Sequence, residues 1–81
     1  MNKEKLKRNI KLIADAYFDI LKDPTVQGDN FSWSTFADRW INQIILQLEL
    51  EFGINLKESD YIFAKEFGIE YCNKLVKDNN L

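Results

Sequence analysis

An all-α fold, a small bundle of four helices, is predicted by three features of this sequence. Apolar residues recur at three- and four-residue steps through two long segments. No stretch alternates apolar and polar residues as a half-buried strand would. The only proline, Pro24, and Gly53 fall where those segments end. With 81 residues the chain makes one domain, 1–81, whose core is small and needs efficient packing. A hydrophobic content of 46% supplies the apolar surface that a disordered chain lacks.

The first helix spans about 3–22. Leu6, Ile10, Ile13, Tyr17 and Leu21 form its apolar stripe, and Leu12, Ala16 and Ile20 widen it. Lys22-Asp23-Pro24 stops it, because the residue before a proline is driven out of the helical region. Residues 23–34, DPTVQGDNFSWS, read as a long loop tucked down by Val26, Phe31 and Trp33. Ser32 or Ser34 then caps a second long helix. Its stripe is Phe36, Trp40, Ile44, Leu48 and Phe52, flanked by Ala37, Ile41 and Ile45, and Gly53 ends it. Leu46 and Leu50 lie off that stripe and form a second apolar ridge, for another helix or for an external partner.

Ser59 or Asp60 can cap the next helix. Either a short third helix ends before Phe67 and a fourth runs 67–77, or one helix runs 59–77. In the continuous case Ile62, Ile69 and Val76 share a face. A mid-helix glycine at Gly68 costs about 1 kcal/mol relative to alanine, which favours the break. The expected bundle therefore has three longer helices and a short third one, with a frayed tail at 78–81.

Composition removes several functions. There is no histidine and one cysteine, Cys72, so no internal disulfide and no zinc site are expected. Without histidine, Cys72 lacks its usual activating base and reads as a small buried hydrophobe; no carboxylate pair stands out either. The chain is therefore read as non-enzymatic. No apolar run approaches the roughly 20 residues that span a bilayer, and no apolar segment comes after the charged start as in a secretory signal. A cytoplasmic protein with no membrane partner is the expectation.

The charge, −2 overall, is uneven. Lys3, Lys5, Lys7, Arg8 and Lys11 face Glu4 alone at the start, while residues 12–64 hold nine carboxylates against Lys22, Arg39 and Lys57. The basic start lacks interleaved aromatics, and the sequence pI near 5.0 argues against phosphate affinity, so nucleic acid is not the expected partner. An acidic body suits a basic protein surface.

The order of long helix, loop, long helix ending LELEFGI, polar LKESD and final FAKEFGIEYCNKL resembles the acyl carrier protein family along nearly the whole chain. Phe31 followed by FADRW is similar to that family's stretch from the loop into Asp-Ser-Leu. The resemblance implies a serine bearing phosphopantetheine at the start of the second long helix. Aligning through FADRW puts Arg39 there, and counting back from LELEFGI puts Asp38 there; neither side chain forms a phosphodiester. Ser34 and Thr35 lie a turn earlier, and Ser34 is the remaining candidate for attachment, although capping alone accounts for it. No cofactor is therefore expected.

The leading expectation is a protein-interaction module that docks through the second long helix and the loop before it. Leu46 and Leu50 would supply apolar contacts and Glu49 would steer a basic partner. Trp33 and Arg39 would mark one end, Arg39 also having Asp38 and Asp29 within sequence reach. Two alternatives stand beside it. One is a divergent carrier using an unexpected serine. The other is a small inhibitor or immunity-type protein, of the kind mobile elements encode, whose acidic body blocks a basic site on an enzyme.

Overall fold

The computed structural model describes residues 2–53 and 55–81; Ile54, the last residue of LELEFGI, lies outside them. Four α-helices come in order: α1 (Lys3–Leu21), α2 (Pro24–Gln27), α3 (Phe36–Phe52) and α4 (Glu58–Asp78). A 3-10 turn, Trp33–Thr35, leads into α3. No strand occurs among the described residues.

The short helix is thus the second, not the third, and residues 58–78 form one unbroken helix through Gly68. The reason lies across the interface. Gly68 is buried, and a Cβ there would collide with Ile41 Cδ1 of α3, while Ile10 Cγ2 of α1 lies 3.7 Å away. The glycine lets α4 press close to both neighbours, and that packing outweighs its propensity cost.

Local chemistry accounts for most helix ends. Asn2 caps α1, its side-chain oxygen accepting from Glu4 N at 2.9 Å. Asp23 caps α2, accepting from Thr25 N at 3.0 Å and Thr25 Oγ1 at 2.8 Å, with Pro24 in the first turn. Gly53 closes α3 at φ 61°, a left-handed conformation suited to glycine. Lys57 opens α4 without a side-chain cap, so neither Ser59 nor Asp60 caps it; Glu58 and Asp60 instead place negative charge in its first turn. Hydrogen bonds close the end of α4. Asn80 turns left-handed at φ 58°, and Asn80 N and Leu81 N donate to the carbonyls of Lys77 and Val76 at 3.1 and 3.0 Å. This is the Schellman closure with asparagine where glycine is usual.

The core is Leu6, Ile10, Ile13, Ala14, Phe18 and Leu21 of α1, Phe36, Ala37, Ile44 and Leu48 of α3, and Ala64 and Cys72 of α4. At one end Trp33 packs on Phe18, Phe31 and Phe36 with ring centroids 5.0, 4.9 and 5.4 Å apart. Phe31 and Trp33 therefore pin the loop, whereas Val26 stays exposed.

Direction is set by paired contacts. Lys3 lies over the Phe63 ring, Lys7 over Phe67, and Lys11 over Phe67 and Tyr71, at 5.1 to 6.0 Å. These pairs advance together along both helices, so α1 and α4 run parallel. Phe63, Phe67 and Tyr71 stack in a ladder, with centroids 6.1 and 6.2 Å apart. The ladder ends where Tyr71 Oη donates to Asp15 Oδ1 at 2.6 Å. Helix α3 runs against both, since Phe18 meets Phe36 and Tyr17 meets Trp40, and α4 is parallel to α1.

Candidate protein-docking face

Three long helices leave each helix with a side that no neighbour covers. On α3 that side is polar and apolar in patches. Ile41, Ile44 and Leu48 point inward and are buried. Arg39, Leu46 and Leu50 fall within a sector of about 40° on the opposite side, from the 100° step of an α-helix. Leu46 is 48% exposed and Leu50 70%. The ridge is therefore outside the core.

Leu50 stands between Glu49 and Glu51, one on each flank. Both carboxylates are exposed, and neither forms an ion pair among the described residues. Glu51 accepts from Gln47 Nε2 at 2.6 Å. No basic residue lies in the last turn of α3. Two carboxylates thus sit at the helix end whose carbonyls already carry partial negative charge. Arg39 has the opposite fault: a guanidinium in the first turn, near the positive end, with no carboxylate within salt-bridge distance among the described residues. The pairings with Asp38 or Asp29 expected of it do not form.

Beside this face, a groove of about 280 Å³ runs between α1 and α3, lined by Leu12, Ala16, Tyr17, Ile20, Gln47 and Phe52 among others. The sequence assigns Leu12, Ala16, Ile20 and Phe52 to the core, yet none of them is buried, Leu12 being 57% and Ile20 52% exposed. They widen the stripe of α1 beyond what two neighbouring helices can cover.

The remaining predicted site residues separate from this face. Trp33 is half-buried in the aromatic cluster and acts as a plug, not an exposed anchor. Trp40, placed in the core by its spacing, is half-buried against Tyr17, with its indole nitrogen enclosed and unpaired among the described residues. Ser34 lies in the 3-10 turn, where its backbone N donates to Ser32 Oγ at 3.3 Å and the two hydroxyls are 2.7 Å apart. Ser32 caps that turn; Thr35 opens α3 without a side-chain cap, so Ser34 is not the cap of α3. Sequence reading misses the lysine–aromatic ladder of α1 and α4. The basic residues and the rings lie in different segments and interleave only after folding.

Among the described residues no helix is long and apolar enough to cross a membrane, and no cluster of three or more metal-ligating side chains occurs. No family model, curated protein or solved structure matches the chain.

Proposed function

We propose that this chain is a non-catalytic protein-interaction module that docks through the outer face of α3. One observation carries the reading. Leu46 and Leu50 are exposed on that face, and Leu50 is flanked by carboxylates unpaired among the described residues. An apolar ridge with acidic shoulders matches a partner segment that presents apolar side chains between lysines or arginines. Rim charges of this kind chiefly raise association rate and choice of partner, while the leucines supply burial. Trp33 stands apart from the face and holds the loop against Phe18 and Phe36.

The test is a pair of alanine substitutions, Leu46→Ala and Leu50→Ala, in the chain used as bait. Stability is expected to fall by no more than about 1 kcal/mol, because Leu50 is 70% and Leu46 48% exposed. Captured partners that carry a basic surface are expected to be lost. Destabilisation with unchanged capture would make the ridge a packing element and remove the proposal. Recovery of an enzyme with a basic active site would specify the reading as inhibition.

The acyl carrier resemblance gives the second reading, favoured by the exposed Ser34 hydroxyl just ahead of α3. The unbroken α4 departs from the short third helix that the resemblance implies. Incubation with coenzyme A and a promiscuous phosphopantetheinyl transferase, read by intact mass, decides it. The native chain is expected to stay unmodified, and a mass gain mapped to Ser34 would install the carrier reading.

A further inference from the structure

Folding gives the basic start of the chain a neighbour that its own segment lacks. Lys3, Lys5, Lys7, Arg8 and Lys11 open α1, with Glu4 as the only carboxylate among them. Glu4 lies 3.6 Å from Lys7 Nζ as an exposed pair. Asp15, the next carboxylate along, already accepts from Tyr71 Oη. The net charge of −2 thus hides a local excess of cations at one end of α1. Helix α4 sets half-buried Phe63, Phe67 and Tyr71 in a row beside Lys3, Lys7 and Lys11. Cations and rings advance together in four-residue steps, each a rise of about 6 Å. Neighbouring phosphates of an extended strand recur at a similar interval.

We infer that this α1–α4 face binds single-stranded nucleic acid, its lysines and Arg8 taking phosphates and its rings taking bases. The two halves of the site exchange partners. In the free protein Lys3, Lys7 and Lys11 lie over the rings at 5.1 to 6.0 Å. A cation over a partly exposed ring is held less tightly than a base stacked on one. A lysine that swings from ring to phosphate therefore uncovers a ring face for a base. A duplex offers phosphates but keeps its bases stacked inside, and an acidic protein segment or a lipid surface offers charge without flat rings. Such occupants use only half of the face. Carboxylates mark its border. Glu66 and Glu70 lie beyond the rings on the side away from α1, by the 100° step of the helix. Glu70 shares a shallow depression with Lys11, Tyr71 and Lys74. These carboxylates repel phosphate, so the strand follows the α1 side of the rings.

The experiment is fluorescence anisotropy of the full chain with a labelled oligothymidylate of about ten nucleotides. Affinity is expected to fall roughly twentyfold or more between about 50 and about 200 mM salt, as three or more phosphate contacts to a single strand require. Lys3→Gln with Lys11→Gln is expected to weaken binding about tenfold and to flatten that salt dependence. Phe67→Leu keeps an apolar side chain but no flat ring. It is expected to weaken oligonucleotide binding severalfold and to leave binding of inorganic polyphosphate unchanged. Phe63→Leu repeats that test if Phe67→Leu unfolds, with circular dichroism and melting as the check on each variant. Glu70→Gln is expected to tighten binding. Arg39→Gln, on the outer face of α3, is expected to change nothing, which separates this site from the docking face.

No binding at about 100 µM protein and low salt overturns the inference. So does binding that ignores both the lysine and the ring substitutions. Equal affinity for the oligonucleotide, polyphosphate and polyglutamate, with no effect of either ring substitution, would leave a contact for any polyanion and remove nucleic acid as the occupant. Tighter binding to phosphatidylglycerol vesicles than to the oligonucleotide would assign the face to a lipid surface instead.

Discussion

Cys72 is fully buried in α4, and burial, with the Asp15 carboxylate adding to it, pushes its thiol up to about 12. The thiolate is the reactive form, so the native chain is expected to resist iodoacetamide at neutral pH and to react once unfolded in guanidinium. Labelling of the folded chain at the rate of a free thiol would show that α4 opens locally. Tyr71 supplies a second residue-scale prediction. Its hydroxyl ties α4 to Asp15 of α1 at 2.6 Å in a partly buried setting. Tyr71→Phe removes a hydrogen bond to a charged group and is expected to cost about 1–2 kcal/mol. A drop of several degrees in melting temperature would record that. Removing Asp15 as well, in a double-mutant cycle, separates the bond from the ring's packing.

At the scale of the element, helix ends are legible in the sequence because their signals are local. Pro24 and Gly53 act through their own backbone, and both stop the helices as expected. The continuity of α4 is not legible, because the reason for Gly68 is Ile41, a residue of another helix. This makes a signed prediction. On an exposed helix Gly→Ala gains about 1 kcal/mol. Here the new Cβ meets the far end of the Ile41 side chain, so Gly68→Ala is expected to forfeit that gain as Ile41 shifts. Ile41→Val removes the Cδ1 methyl that the new Cβ would meet, so Gly68→Ala combined with Ile41→Val should recover part of the loss in thermal melts. A full gain of about 1 kcal/mol from Gly68→Ala would show that Ile41 gives way without cost. The outward side of α3 is half legible: spacing separates Leu46 and Leu50 from the main stripe. Which of two apolar faces stays in water depends on how many helices surround it. That number differs from expectation because the expected third and fourth helices are one.

Across the whole molecule, stability should narrow at both ends of the pH scale. Folded Cys72 and Tyr71 hold their protons more tightly than their ordinary values of 9.0 and 10.0 allow, burial being the first cause for each and the Asp15 contact adding to it. The unfolded chain therefore releases protons first as pH rises, and the linkage favours unfolding from about pH 9 upward to about 12 for the cysteine. Asp23 acts in the opposite sense. The Thr25 hydrogen bonds hold its carboxyl below its ordinary value of 3.8, so that contribution is present above pH 3.8 and fades as pH falls through the lowered value. Urea midpoints measured from about pH 3 to about pH 11 should fall at both extremes. Cys72→Ala should soften the alkaline limb, and Thr25→Val the acid one.

The parallel pairing of α1 with α4 bears on how the chain is made. Each rung that joins Lys3, Lys7 and Lys11 to Phe63, Phe67 and Tyr71 links α1 to a helix that is made only after α3. A ribosome feeding the chain out from its amino end therefore delivers Leu6, Ile10 and Ile13 long before the helix that completes their enclosure exists. Until then these side chains are exposed to chaperones and to other nascent chains. The antiparallel pair α3–α4, five residues apart in sequence, carries a smaller loop-closure entropy than the pair α1–α4.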